Sequence, residues 1–292
     1  MGETGERSST IDGEKRYQQI ARKALPLLVR QAGAAHNITY NELAQELGMR
    51  PRNLNYVLGA IGNTLSELGR RWGNIIPPIQ CVVVSKKTGL PGEGVGWFLN
   101  MPEDFKTLSR ARKREIIEGK LQDIYGYSRW HVVLKELGLQ YVAPDYFEAN
   151  RNATQFGGGE SADHKALKAF VANTPVLFGL PISSPVGLQE HALPSGDTLD
   201  VSFRHRENWV AAEVKSARSP EADIIRGIYQ CVKYLAVMRA VQTSEDQDRS
   251  ARVVLVLGGA FPSWLLPLKN QLGVEAIENV QVMPSYCTDV VP

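Results

Sequence analysis

Apolar residues follow two different spacings along this chain of 292 residues. In the first half they recur every three or four positions, which predicts amphipathic helices, and in the last third they form short alternating or continuous runs, which predict strands. The predicted helices cover residues 15–31 and 39–47 and a segment that begins at Pro51, and the predicted strands cover residues 198–203, 209–215, 253–259 and 280–283. The pattern therefore predicts a helical N-terminal region followed by a mixed α/β region.

The N-terminal helices carry signals for where they begin and end. Thr39 is a predicted N-cap with Glu42 three residues later, and Gly48 is the predicted stop of that helix. The helix from Pro51 places the apolar residues 54, 57, 58 and 61 on one side. Two short helices joined by a glycine-containing turn form a helix-turn-helix pattern, and an ordinary helical hairpin has the same pattern.

Three charged residues lie within the predicted strands of the C-terminal region. They are Asp200 on one strand and Glu213 and Lys215 on the next, and the short charged segment 204–208 between the strands suits a hairpin turn. Side chains repeat every two residues along a strand, so Glu213 and Lys215 share a face. Charges on strands are commonly the solvated face of an antiparallel sheet. The apolar neighbours of these three predict burial instead, which costs several kcal/mol unless the charges are paired or hold a metal.

Together with its flanking helices, this trio resembles the PD-(D/E)XK nuclease superfamily over roughly residues 160–284. The segment 161–171 is similar to the family's first core helix, and the helix that follows Lys215 carries Gln230 with Tyr234 four residues later, as in many members. One departure is Leu199, which stands where the motif often has proline. His164 lies on the first core helix and could approach the site, and a hydrogen-bonded structural role is the simpler interpretation.

The resemblance implies an α/β (α+β) core of the restriction-endonuclease-like type and a hydrolytic metal site. Asp200 and Glu213 would ligate Mg²⁺ or Mn²⁺ through oxygen, joined by Glu160 or Asp163, between which the sequence does not choose. The expected catalytic residues are Asp200, Glu213, Lys215 and Gln230. Lys215 would assist the attacking water or stabilise charge that develops on the phosphate.

Residues 38–98 resemble the winged-helix DNA-binding region of the alkylguanine-DNA alkyltransferases and alkyltransferase-like proteins. Ile79 stands where the acceptor cysteine would be, and Gln80 stands in the position of the adjacent histidine. Cys81 comes two positions too late to be activated, and Tyr56 replaces the base-displacing arginine. These departures exclude alkyl transfer, so the resemblance implies a separate N-terminal winged helix-turn-helix domain that binds DNA, with a modified-base pocket as an extension.

On that model two groups of polar residues contact double-stranded DNA. The first lies on the second helix and would face the bases, since arginine and asparagine read guanine and adenine edges; the second would contact phosphates and carry no sequence information. The base-facing residues are Arg50, Arg52, Asn53 and Asn55, and the phosphate-contacting residues are Arg70, Arg71, Lys86 and Lys87. Solvated surface side chains explain the same residues equally well.

Composition and charge fit this organisation without adding to it. Apolar residues make up 43% and charged residues 22% of the chain, near the globular average, and the net charge is +2. Three separated cysteines form no zinc or disulfide pattern, and no apolar run reaches the length of a membrane span, which predicts a cytoplasmic protein with reduced thiols. The predicted domains are a disordered lead-in at 1–13, a winged helix at 14–104, a helical connector at 105–156 and a nuclease domain at 157–292 that begins with a Gly-Gly-Gly hinge.

The sequence therefore predicts a metal-dependent DNA endonuclease of the restriction or anti-phage type with its own DNA-recognition module. The family implies a homodimer, because one active site cuts one strand. Two alternatives stay open: a non-catalytic DNA-binding protein that keeps the fold, and a repair nuclease that shares the chemistry.

Overall fold

The computed structural model describes residues 9–101, 103–142, 161–245 and 250–282. The chain divides into two compact units. Unit 1 comprises residues 1–144 together with 266–273, and unit 2 comprises residues 145–265 together with 274–292. Residues 266–273, which the sequence analysis places in the nuclease domain, thus belong to the first unit.

Unit 1 is built from helices with very little strand. Its elements are α1 (Arg16–Gly33), β1 (Ile38–Thr39), α2 (Tyr40–Glu46), α3 (Leu54–Trp72), β2 (Val83–Val84), α4 (Arg110–Gly126), α5 (Trp130–Glu136) and α8 (Leu266–Gln271). Short 3₁₀ turns at Pro51–Asn53, Ile79–Val82, Glu93–Phe98 and Phe105–Thr107 connect them.

The helix signals of the sequence are confirmed at α2. The Thr39 backbone amide donates to Glu42 Oε2 at 2.9 Å, and the Glu42 amide donates back to Thr39 Oγ1 at 3.3 Å, which completes a capping box. The helix ends just before Gly48, whose φ of 61° lies in the left-handed region that glycine adopts without strain. These two caps fix the length of the helix that precedes the predicted recognition helix.

The core of unit 1 extends further along the chain than the sequence predicts. Ile117, Ile124 and Trp130 of α4 and α5 are buried in the same apolar cluster as α1 and α3, so these helices are part of the unit and not a connector. At the other end, Ile11 is fully buried and its amide donates to Thr64 Oγ1 at 2.9 Å. The folded chain therefore begins before residue 14, within the segment predicted to be a disordered lead-in.

The strands of unit 1 do not form the hairpin that a wing requires. Within the described residues of this unit, the one ladder is parallel, with Ile38 opposite Val83 and Thr39 opposite Val84. Residues 79–98 are mainly 3₁₀ turns. The two helices of the predicted helix-turn-helix are present at residues 40–46 and 54–72, whereas the described residues 79–98 do not form the predicted wing.

Unit 2 contains a mixed five-stranded sheet, so the mixed α/β class predicted from the sequence is confirmed. The strands are β3 (Leu188–Ala192), β4 (Thr198–His205), β5 (Asn208–Lys215), β6 (Ser250–Leu257) and β7 (Glu275–Ile277), and they follow that order across the sheet. Pairs β3–β4 and β4–β5 are antiparallel, and pairs β5–β6 and β6–β7 are parallel. The two principal helices are α6 (Ala162–Ala172) and α7 (Glu221–Ser244).

The central strand β5 is buried on both faces. Val210, Ala212 and Val214 belong to an apolar cluster with Leu167 and Val171 of α6. The alternate residues of β5 point to the opposite face, because side chains alternate along a strand. Glu213 and Lys215 therefore project toward the face that α7 covers.

Two features of the sheet differ from the sequence prediction. Residues 280–282 are not a strand, although the Val280 amide donates to the Leu257 carbonyl at 3.0 Å, and Met283 lies outside the described residues. The edge strands β3 and β7 were not predicted, because β3 is largely exposed and β7 spans only three residues. No helix in the described part of the chain has the length and apolar character needed to cross a bilayer.

Candidate active site

The β4–β5 hairpin brings the two predicted carboxylates together. Its antiparallel register pairs Val201 with Ala212, which places Asp200 and Glu213 at the next step of the ladder. The Asp200 Oδ2 atom accepts a hydrogen bond from the Val214 amide at 2.8 Å. The aspartate is thereby fixed against β5 by backbone geometry.

Lys215 and Gln230 complete the group of residues predicted from the sequence. Lys215 Nζ donates to Glu213 Oε1 at 2.6 Å and to Gln230 Oε1 at 3.4 Å. Gln230 Nε2 donates in turn to the Tyr234 hydroxyl at 3.1 Å, as the four-residue spacing on α7 allows. Side-chain hydrogen bonds therefore link Glu213, Lys215 and Gln230, and Asp200 lies on the adjacent strand, bonded to the Val214 amide.

The two carboxylates differ in their electrostatic environment. The pKa of Glu213 is raised to about 7, first by burial and then by the charge of Asp200, while Lys215 acts in the other direction. Burial also acts to raise the pKa of Asp200, but hydrogen bonds from His164 and from the Val214 amide outweigh it, so this pKa is lowered. The site thus holds one stable carboxylate beside one whose ionisation is opposed, which is the arrangement that a bound cation relieves.

His164 is a member of the site that the sequence analysis treated as structural. It lies in the first turn of α6, whose N-cap Ser161 accepts from the His164 amide at 3.2 Å. Its Nε2 atom is 3.9 Å from Asp200 Oδ2. The sequence signal was its position next to the predicted ligand Asp163.

Neither predicted third ligand joins the carboxylate pair in the described structure. Asp163 forms an ion pair with Arg218 at 3.3 Å and is half exposed, and Glu160 lies outside the described residues. Among the described residues, no cluster of three or more His, Cys, Asp or Glu side chains is arranged to hold a metal ion. The buried Glu213 and the half-buried Asp200 on the adjacent strand nevertheless fit a hard divalent cation that keeps several water ligands.

The site opens into a cavity of about 520 Å³ beside Asp200 and Lys215. Arg218, Arg226 and Lys168 line this cavity, together with the hydroxyl residues of the β5–α7 loop. The buried Lys168 is paired with Glu190 of the edge strand β3. Glu190 stands across the β3–β4 ladder from Asp200 and has a φ of 52°, a strained value for a residue other than glycine. Neither Lys168 nor Glu190 belongs to a recognisable motif, so the sequence alone does not predict them as part of the site.

Gly227 allows α7 to approach the site closely. A Cβ atom at this position would lie 2.8 Å from Leu255 Cδ1 and 3.0 Å from Lys215 Cε. Both distances are shorter than ordinary van der Waals contact, so any larger residue would displace the lysine stem or the helix. The glycine thus sets the position from which Gln230 reaches Lys215.

The residues predicted to contact DNA are distributed over several surfaces of unit 1. Arg50, Arg52 and Asn53 line one groove, whereas Asn55 lines a separate cavity on another side of α3. The remaining four belong to other segments of the unit. Arg70 and Arg71 are at the far end of α3, roughly 24 Å from Asn55 at 1.5 Å per residue, with Arg71 paired to Glu136 at 2.6 Å, and Lys86 and Lys87 follow β2.

Gln80 is the most unusual polar residue of unit 1. It is only 4% exposed, and neither atom of its amide has a hydrogen-bond partner in the described structure. It lines a cavity of about 110 Å³ with Tyr40, Asn55 and Phe98. The neighbouring Cys81 is fully buried, and burial raises the pKa of its thiol to about 12, which is the opposite of what a nucleophile needs.

No protein-family model, curated protein or solved structure matches this chain. The geometry described above is therefore the basis for any functional conclusion.

Proposed function

We propose that this chain is a metal-dependent DNA endonuclease that hydrolyses phosphodiester bonds, with a role in restriction or anti-phage defence. The single observation that carries the proposal is the cluster of Asp200, Glu213 and Lys215, in which one lysine donates to the buried Glu213 and Asp200 on the adjacent strand adds a second carboxylate. Burying an excess of negative charge costs several kcal/mol unless a cation is bound. A protein that needed only stability would gain by replacing such a cluster with apolar residues.

In this proposal Asp200 and Glu213 would hold Mg²⁺ or Mn²⁺. Such a cation supplies positive charge at the phosphate and a bound water of lowered pKa. Asp200 is kept ionised by the Val214 amide and by His164, and Glu213 must release its proton before it can act as a ligand. The cavity beside Asp200 has room for a phosphodiester group.

Lys215 and Gln230 have supporting roles in the same proposal. Lys215 Nζ lies 2.6 Å from Glu213 Oε1 and would donate a hydrogen bond to the phosphate oxygen on which charge develops. Gln230 limits the movement of the ammonium group through its own contact at 3.4 Å. Lys215 is the residue that touches the reacting atoms, and Gln230 is a positioning residue.

Unit 1 would supply DNA recognition. Its exposed Arg50 and Arg52 provide positive charge, and the unpartnered Gln80 amide favours a pocket that accepts a base displaced from the duplex. The cavity at Gln80 is of the same order as the roughly 150 Å³ cavity that holds one six-membered aromatic ring. A cut through both strands would require two copies of the chain, because each carries one such site.

The test is incubation of the full chain with methylated plasmid, unmethylated plasmid and phage DNA, in Mg²⁺, in Mn²⁺ and in EDTA. We expect metal-dependent cleavage that Asp200→Asn and Glu213→Gln each reduce by at least about 10³-fold, since several kcal/mol of charge stabilisation depend on them. DNA binding in EDTA should persist in both variants. Cleavage by the variants at the parent rate would contradict the proposal.

A second measurement without DNA separates the enzyme from the non-catalytic alternative. Mn²⁺ at about 100 times its dissociation constant should stabilise the parent by roughly 2.7 kcal/mol and should leave Glu213→Gln unchanged. DNA binding with neither cleavage nor cation-induced stabilisation would favour the DNA-binding protein that keeps the fold. Cleavage confined to damaged or mismatched duplex would favour a repair nuclease.

A further inference from the structure

Unit 1 carries an open groove between the start of α1 and the start of α3. Its volume is about 750 Å³. We call it the tyrosine groove, and its lining residues are Lys15, Arg16, Tyr17, Ile20, Gly48, Met49, Arg50, Arg52, Asn53, Tyr56 and Val57. Three of these residues, Arg50, Arg52 and Asn53, are among the predicted DNA contacts, and the groove places them beside α1.

The charge of the tyrosine groove is entirely positive. Lys15, Arg16, Arg50 and Arg52 are exposed in it, and among the described residues no aspartate or glutamate lines it. Within the described residues, none of these four cations forms an ion pair, in contrast to exposed arginines elsewhere such as Arg71 and Arg112. Four uncompensated cations around one concave surface favour a ligand with phosphate groups.

Two tyrosine rings give the groove a second kind of binding surface. Tyr17 and Tyr56 have ring centroids 6.2 Å apart with planes inclined by 45°. The hydroxyl of Tyr17 is held by Ser9, whose amide donates to it at 3.3 Å and whose Oγ lies 2.8 Å away. Tyr56 is 42% exposed, an unusual fraction for a large aromatic residue on a helix that is otherwise well packed. A fixed ring beside an exposed ring forms a stacking platform for a planar base.

We propose that the tyrosine groove binds an unpaired nucleotide of a DNA strand, with the base on Tyr56 and the adjoining phosphates at Arg50, Arg52 and Arg16. An unpaired nucleotide is favoured over a duplex because the faces of its base are free to stack, whereas those of a paired base are covered by its neighbours. The inference rests on the proposed function only in taking DNA as the ligand of unit 1.

The experiment measures binding of the full chain to a labelled single-stranded oligonucleotide by fluorescence anisotropy, in EDTA, over a range of salt concentrations. Removing two phosphate contacts with Arg50→Gln/Arg52→Gln should lower the salt slope by about 1.4 and the affinity at 0.1 M salt by about 20-fold. Tyr56→Leu should weaken binding about tenfold, and Tyr56→Phe, which keeps the ring, should bind as the parent does. Arg114→Gln is the matched control, since Arg114 is an exposed cation on α4 outside the groove.

Three competitors identify the occupant. The same sequence as a blunt duplex should compete at least tenfold more weakly, free deoxynucleoside monophosphate should compete only at much higher concentration, and a poly-glutamate peptide should not compete. Parent-like binding by Tyr56→Leu, or equal competition by the duplex or by the acidic peptide, would overturn the inference. Because no step uses cleavage, a chain that binds in this way but never cuts DNA would contradict the proposed function and leave the groove assignment intact.

Discussion

Unit 1 and unit 2 each bury a cluster of charged side chains, and the two clusters are built in opposite ways. In unit 1, the fully buried Arg30 donates to both oxygens of Glu46, at 2.9 and 2.7 Å, and Asn270 adds a bond at 2.6 Å. In unit 2, Lys215 donates to Glu213, whereas Asp200 accepts from the Val214 amide and lies 3.9 Å from His164. One cluster is neutral and closed, whereas the other has excess negative charge and opens into a cavity.

The two clusters differ in the way that a structural charge cluster differs from one that binds a ligand or takes part in a reaction. A bidentate arginine–carboxylate pair satisfies both partners, so it requires nothing from outside the protein. Two carboxylates with one lysine leave a deficit of positive charge, and the pKa of Glu213 is raised first by burial and then by the charge of Asp200. Function is therefore expected where the charges within the protein do not balance.

The largest expected difference between the clusters is in stability. Glu46→Gln leaves the Arg30 charge buried without its partner and should lower the stability of unit 1 by about 3 to 5 kcal/mol. Glu213→Gln removes an unfavourable buried charge and should not lower the stability of unit 2 in EDTA at pH 7.5. Hydrogen exchange of the α1 and β5 amides reports the two units separately. Equal losses from the two substitutions would remove the distinction between the clusters.

The pH dependence of stability should sharpen the same comparison. Between pH 4.5 and about 7 the folded state keeps a proton on Glu213 that the unfolded state has lost. The unfolded state binds fewer protons, so the stability of unit 2 in EDTA should fall by roughly 3 kcal/mol as pH rises through this window.

Glu213→Gln serves as the control for that measurement. Burial lowers the pKa of His191, which acts in the opposite direction in part of the same pH range, so the difference between parent and variant is the informative quantity. A stability difference that does not change between pH 5 and pH 7.5 would show that Glu213 is not the group responsible.

The sequence predicts those parts of the site that depend on local patterns, within a few residues of one another. Asp200, Glu213 and Lys215 were predicted to meet because strand alternation and a short hairpin are local rules. The capping box at Thr39 was predicted for the same reason. Lys168 and Glu190 were not, because their pairing depends on a largely exposed edge strand with a left-handed residue, which no local pattern announces.

Local sequence patterns also do not predict the boundaries of the two units. Residues 266–273 lie between two segments of unit 2 and carry no signal of a change of unit, yet Lys269 donates to Glu42 at 2.7 Å within unit 1. The helices at 110–136 have a basic, exposed exterior that resembles a connector, and only a few buried residues such as Ile117 and Trp130 tie them to the core. Contacts between residues far apart in sequence decide both cases.

Gly227→Ala tests whether the position of Lys215 depends on the close approach of α7 to the sheet. The new Cβ would lie 3.0 Å from Lys215 Cε, so we expect the lysine stem to shift and cleavage to fall about tenfold, at an overpacking cost of about 1 to 3 kcal/mol that helix propensity partly offsets. Gly119→Ala on α4 is the matched control, because no atom lies within 4 Å of its Cβ position. An unchanged cleavage rate in Gly227→Ala would show that Lys215 tolerates displacement.

The smallest expected effect is at Tyr234, the last member of the hydrogen-bond chain that runs from Glu213 through Lys215 and Gln230. Burial raises the pKa of its hydroxyl, which stays protonated and accepts the hydrogen bond from Gln230 Nε2. Tyr234→Phe removes that acceptor, so Gln230 should be held less firmly against Lys215, at a cost of about 1 kcal/mol in stability. Cleavage should fall roughly two- to fivefold in kcat, with KM for DNA unchanged, since the residue acts through another and touches no substrate.

Tyr125→Phe removes one comparable bond, to Asn37 Oδ1 at 2.8 Å in unit 1, and should leave kcat at the parent value. A loss of kcat as large in Tyr125→Phe as in Tyr234→Phe would mean that the effect reflects general stability and not the position of Lys215.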